Sequence, residues 1–124
     1  MTADNGINNR TEQEAILNKW KNADLIITDH HLPNETVVLE NDRTIIFNPK
    51  YQPNEYFKTS KNISGANTLG VLLTQVFHSI APVKRPKYDK AWNTAIENIR
   101  EIGYWANLLD YAGSSLADMP TKPY

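Results

Sequence analysis

Leu25-Ile26-Ile27-Thr28-Asp29-His30-His31 runs from a short apolar stretch straight into an acid and two adjacent histidines. An apolar run of this length bounded by polar residues reads as a buried strand, typical of a parallel sheet covered on both faces. In such sheets ligands gather just beyond the carboxyl ends of the strands, which is where Asp29, His30 and His31 fall. Imidazole with carboxylate suits a divalent transition metal such as manganese or zinc, and carboxylates also suit magnesium. Adjacent side chains on an extended segment point opposite ways, so His30 and His31 are expected to do different jobs. Histidines at a strand end also serve as hydrogen-bonded surface groups, and the tripeptide by itself leaves both readings open.

Upstream, Met1-Thr2-Ala3 leads directly into Asp4-Asn5-Gly6, a turn signal headed by an acid. Thr11-Glu12-Gln13-Glu14 reads as a capping box, with Thr11 as N-cap and Glu14 three residues on. Ala15, Ile16, Trp20 and Ala23 mark the apolar face of a helix that ends near Asn22. The strand Asp24 to Thr28 follows. A turn, a helix and a strand in this order are the grammar of a parallel α/β sheet.

Downstream, Leu32-Pro33-Asn34 breaks the chain. Thr36 to Leu39 and Thr44 to Phe47 are β-branched runs separated by Glu40-Asn41-Asp42-Arg43, which predicts a hairpin or a strand-turn-strand. Asn48-Pro49 stops the second run, and residues 50 to 63 read as a loop long enough to suspect function. Ser64-Gly65 then opens an apolar helix through Ile80 whose apolar residues nearly surround it, so it is expected to be buried. The basic stretch Lys84 to Lys90 reads as a solvated linker in preference to a phosphate-contacting patch. Ala91, Trp92, Ala95, Ile96 and Ile99 mark a helical face over residues 91 to 102, and a last apolar segment spans Tyr104 to Leu116.

Composition bounds the function classes. The 124 residues suit one small domain, and a hydrophobic fraction of 40% is enough to bury a core. A net charge of -1 gives no field for bulk nucleic-acid binding, so any such contact must be local. The lack of cysteine excludes disulfides and thiolate metal sites and fits a reducing interior. No apolar run approaches a membrane span, and residues 1 to 6 lack the features of a signal peptide. These point to a cytoplasmic protein with no membrane partner.

Several stretches together resemble the DHH phosphoesterase family, most closely its RecJ-like branch of single-stranded-DNA-specific exonucleases. Asp4-Asn5-Gly6-Ile7 is similar to the family's second motif, and Thr28-Asp29-His30-His31-Leu32-Pro33 to its third. Asn48-Pro49 and Ile63-Ser64-Gly65 resemble downstream landmarks. Leu108-Leu109-Asp110-Tyr111 with Leu116-Ala117-Asp118-Met119 resembles the fourth motif. The likeness runs in order from residue 4 to 119.

The resemblance implies a parallel-sheet α/β domain, helix-rich from about residue 64, that hydrolyses phosphodiesters with a manganese pair, or with magnesium. It implies that Asp4 bridges the metals, that His30 and Asp118 complete one metal's ligands, and that His31 approaches the scissile phosphate. Asp29 would orient an imidazole from behind. Ser64-Gly65 at the mouth of a helix would offer backbone N–H groups to a substrate phosphate, or would be a plain N-cap.

Two departures temper that picture. The family's first motif, an Asp-x-Asp pair, does not precede Asp4, and the C-terminal substrate domain with its glycine-histidine signature does not follow. The resemblance therefore implies residues 1–124 as a partial catalytic domain, truncated at its N-terminus. Its leading reading is a fragment or split subunit of a 5′→3′ single-stranded-DNA exonuclease, with a second polypeptide supplying the first motif. The alternative is a non-catalytic module that associates with a nuclease or another replication or repair partner. A small-substrate phosphoesterase working with one metal ranks third.

Overall fold

A computed structural model describes residues 1–51, 57, 61–80 and 86–110, with side chains from Lys90 onward in the last segment. These residues form a small α/β protein. The elements are β1 (Thr2–Ala3), α1 (Arg10–Lys19), β2 (Leu25–Thr28), β3 (Thr44–Phe47), α2 (Gly65–Ile80) and α3 (Pro86–Asp110). The three strands make one parallel sheet in the order β1-β2-β3, with Thr2 opposite Ile27 and Thr28 opposite Phe47.

Alternation along β2 puts Leu25 on one face and Thr28, beside Phe47, on the other. Leu25 packs with Leu17 of α1 and with Leu39. Phe47 packs with Phe57, Ile63 and Val71 of α2. The sheet is thus covered on both faces, which is why a continuous apolar run can serve as its central strand. Each fully buried leucine or phenylalanine in these clusters stabilises the fold by about 1.5–3 kcal/mol.

Several expectations are corrected. Residues 36 to 39 are not a strand, and no hairpin joins them to β3. Among the described residues β3 pairs with β2 alone, in parallel, and no strand lies on its other edge. Asn34 diverts the chain instead. Its Oδ1 accepts from the Thr36 N–H at 3.2 Å and the Thr36 hydroxyl at 2.7 Å, while its carbonyl accepts from Val37 and Val38.

The capping box of α1 does not form. Asn9 is the N-cap and makes no side-chain cap bond, and Glu14 pairs with Arg10 at 2.8 Å. The helix ends at Lys19, and its buried positions are Gln13 and Leu17, with Ala15 and Trp20 exposed. Its C-terminal end is held by Arg43. That guanidinium donates to the carbonyls of Leu17, Trp20, Lys21 and Ala23, where the helix dipole favours a cation.

Further along, α2 buries a face of small and polar residues, among them Asn67, Gly70, Val71 and Thr74, and leaves Val76 and Ile80 exposed. It is not buried all round. The stretch from Pro86 to Lys90 is helical, not a linker, with Pro86 at the first helical position where its missing N–H costs nothing. One helix also runs through residues 91 to 102 and on into the segment expected to be separate, as far as Asp110, while residues 111 to 116 of that segment lie outside the described residues. Gly103 sits mid-helix because the Asn67 side chain occupies the place where any Cβ on it would stand. The inner face of α3 runs through Trp92, Ile96, Ile99, Gly103 and Asn107 to Asp110 at its end. Among the described residues no helix is long and apolar enough to cross a membrane.

Candidate metal centre

Beyond β1 the chain enters a tight turn. Asp4 adopts a left-handed conformation, φ 62°, which aspartate tolerates better than most residues, and Gly6 follows at φ 112°. The Asp4 N–H donates to Thr28 O at 3.0 Å, continuing the β1–β2 ladder to the last residue of β2. Two strand ends therefore deliver Asp4 and the Asp29-His30-His31 group to one place.

Asp29 organises that group. It is 1% exposed, yet its carboxylate is well satisfied: Oδ2 accepts from the Ile7 N–H at 3.0 Å and Oδ1 from the His30 N–H at 2.8 Å. Oδ1 also accepts from the His31 N–H at 3.3 Å and lies 2.6 Å from His31 Nδ1. Burial alone would push its carboxyl up. The hydrogen bonds from Ile7, His31 and His30 outweigh that and hold it below the ordinary aspartate value.

By gathering both histidine N–H groups onto one oxygen, Asp29 winds the backbone into a turn right after β2. The two imidazoles, expected to point apart, consequently come together, with ring centroids 4.7 Å apart and planes 60° apart. The alternation of a strand stops where the strand stops.

Each ring has one nitrogen fixed from behind. His30, 8% exposed, has Nδ1 2.8 Å from Ile63 O. A carbonyl can only accept, so that nitrogen carries a proton, and Nε2 faces Asp4 Oδ1 at 3.1 Å. In a neutral imidazole Nε2 then bears a lone pair, and a lone pair facing a carboxylate oxygen calls for a proton or a cation beside both. His31 turns Nδ1 to Asp29, and its side chain is 58% exposed. One ligand atom each from Asp4, His30 and His31 lie within 4.8 Å of one another, the one such group among the described residues. Two imidazoles braced by a carboxylate and a carbonyl, joined by a third residue's carboxylate, fit a divalent transition ion.

The other expected site residues divide. Ser64 is buried, its hydroxyl accepts from the Asn67 N–H at 3.1 Å as an N-cap, and its own N–H donates to Asn107 Oδ1 at 2.7 Å. Gly65 sits against the Asp4 carboxylate, which fills the space a Cβ would need. Asp118 lies outside the described residues.

Asp110, Lys50, Asn48 and Asn8 stand at or beside the group without having been singled out as site residues. Asp110 closes α3 with Oδ2 3.6 Å from His30 Nδ1. Its only signal in the sequence was its place in Leu108-Leu109-Asp110-Tyr111. Asn8 ties the first turn to the histidine turn, donating to Leu32 O at 3.1 Å and accepting from the Asn34 N–H at 2.8 Å. Asn48 donates to His31 O at 3.0 Å and accepts from the Lys50 N–H at 2.8 Å. Next to Lys50, Tyr51 lines an open groove of about 440 Å³ together with Arg10, Glu35, Val38 and Glu40.

The chain matches no protein-family model, no curated protein and no solved structure.

Proposed function

We propose that this chain is part of a metal-dependent phosphodiesterase of the DHH type, acting on single-stranded DNA. The observation that carries the reading is the convergence of Asp4, His30 and His31 at the carboxyl ends of two parallel strands, with each imidazole oriented from behind. Asp4 and His30 would hold a manganese or magnesium ion, with Asp118 as a further ligand. A bound ion would supply activation of a water and neutralisation of charge on the phosphate.

The chain's own residues do the rest. Asp29 holds the proton of His31 on Nδ1, so Nε2 is the end that meets the substrate and can give or take a proton at a phosphate oxygen. The Ile63 carbonyl does the same for His30, leaving Nε2 as the ligating atom. Ser64 and Gly65 support this arrangement from the mouth of α2, with Gly65 leaving room for the Asp4 carboxylate. The groove beside Tyr51 carries two glutamates, so a long polyanion gains little there and nucleic-acid contact stays local.

Manganese binding by calorimetry, on the chain and on His30→Ala, tests the reading, followed by a single-strand nuclease assay. Saturable binding lost in the variant supports it. A folded chain that binds no manganese overturns it and leaves the non-catalytic binding module as the reading to pursue.

A further inference from the structure

Lys50 stands three residues beyond the end of β3, at the end of the sheet that carries the histidines. Its backbone is not independent of theirs. Asn48, almost fully buried, grips Lys50 N–H with its oxygen and His31 O with its nitrogen, and the Tyr51 N–H returns to Asn48 O at 3.3 Å. Pro49 between them is buried. A single amide side chain thus fixes the lysine and the exposed histidine on one platform.

The lysine is half-buried and lies within the fields of Asp29 and Asp110. Burial pushes its ammonium down from the ordinary lysine value, and those two carboxylates only partly offset this. It makes no ion pair within 4.0 Å of a carboxylate among the described residues. Asp29 already accepts from Ile7, His30 and His31, so it has little capacity left for an ammonium. A cation that has lost part of its water without a contact carboxylate among the described residues is suited to an incoming anion. A compact ammonium on a flexible stem is a common phosphate ligand.

We propose that Lys50 is the phosphate-binding residue of this centre, its ammonium taking the non-bridging oxygens of a phosphate group presented to His31. The inference rests on the phosphodiesterase reading for its substrate class and adds the residue that recognises the anion.

The experiment titrates inorganic phosphate, and in parallel the dinucleotide TpT, into the full chain with and without manganese at fixed ionic strength. Binding is followed by calorimetry, and manganese affinity is measured separately. The variants are Lys50→Met, which keeps the apolar stem, and Lys50→Arg, which keeps the charge, with circular dichroism checking their fold. The expected result is a loss of phosphate affinity of about tenfold or more in Lys50→Met, as for a hydrogen bond to a charged group. Lys50→Arg should recover most of that affinity, and manganese binding should hold within about twofold in both, since neither touches a ligand. Equal phosphate affinity in the chain and in Lys50→Met overturns the inference, as does a chain that binds manganese but no phosphate. So does parallel loss of manganese and phosphate in a folded Lys50→Met, which would make the lysine structural. Lysine-dependent phosphate binding without manganese binding would uphold the anion site and sink the metal reading alone.

Discussion

The carboxylate of Asp4 lies against Gly65, in the space that the Cβ of any other residue would occupy. The first turn of α2 and the turn after β1 are therefore fitted to each other through a missing side chain. Asp4 is 60% exposed along its side chain, but its Cβ as well as its carboxylate lies in that space, so Gly65→Ala is expected to push aside the carboxylate together with the turn that carries it. Manganese affinity should fall by about tenfold or more, as when a partner of a charge-assisted contact is lost. The thermal midpoint should fall as well, because the turn must shift with the side chain. Calorimetry with a melting curve checks both, and unchanged manganese binding would remove Asp4 from the ligand set.

Asp29 predicts a pH signature. Its carboxyl is held below its ordinary value of 3.8 in the folded chain, so the unfolded chain takes up the proton first as pH falls. Its contribution to stability is fully present above that value and is lost as pH drops through the still lower folded value. Urea midpoints should thus stay level on this account from neutral pH to about pH 4–5 and decline below. Asp29→Asn removes an acceptor from N–H groups buried at the turn, costs about 1–3 kcal/mol at neutral pH and flattens that acid limb. An acid limb unchanged in the variant would assign it to other carboxylates.

Arg43 gathers four carbonyls at the end of α1, and Arg43→Ala leaves them to water or to nothing. The guanidinium is partly exposed, so the cost should be about 1–2 kcal/mol. The substitution Arg43→Lys should recover less than half, because an ammonium cannot fork to several acceptors at once. Equilibrium denaturation of the three chains decides this, and full recovery by lysine would reduce the effect to charge at a helix end.

Asn107 predicts how firmly α3 is joined to the centre. Its Oδ1 accepts the buried Ser64 N–H, so Asn107→Ala should cost about 1–3 kcal/mol. Glu101→Ala, on the exposed side of the same helix, should stay within about 0.5 kcal/mol. Comparable losses at the two positions would show that the contact carries no stability.

Much of the sheet was legible in the sequence because its signals are local. The apolar run from Leu25 to Thr28 and the β-branched run from Thr44 to Phe47 both form strands, and the order of turn, helix and strand forecast the parallel pairing of β1 with β2. What escaped notice depends on contacts between distant segments. Arg43 reads as a turn residue until the carbonyls of residues 17 to 23 are seen to converge on it. The helical face over residues 91 to 102 and the segment from Tyr104 read as separate until Asn67 is found pressed against Gly103 between them. In the candidate centre, Asp4, Asp29, His30 and His31 announce themselves by type and position. Asp110 is 80 residues from His30 in the chain, and only the packing of α3 on α2 brings it near. The convergence of the two rings was hidden for a nearer reason, since one carboxylate bends the chain where alternation was expected to continue.

The strand that delivers Asp4 is two residues long and is secured to β2 by a short ladder and by the Thr28 hydroxyl bond to Thr2 O at 2.7 Å. So brief a segment detaches far more readily than the core behind it. An ion shared by Asp4 and His30 would work as a clasp on that short strand, since losing the ion and parting β1 from β2 would be a single event. Occupancy would then be readable without any substrate, as slower hydrogen exchange at the Asp4 amide as the ion concentration rises.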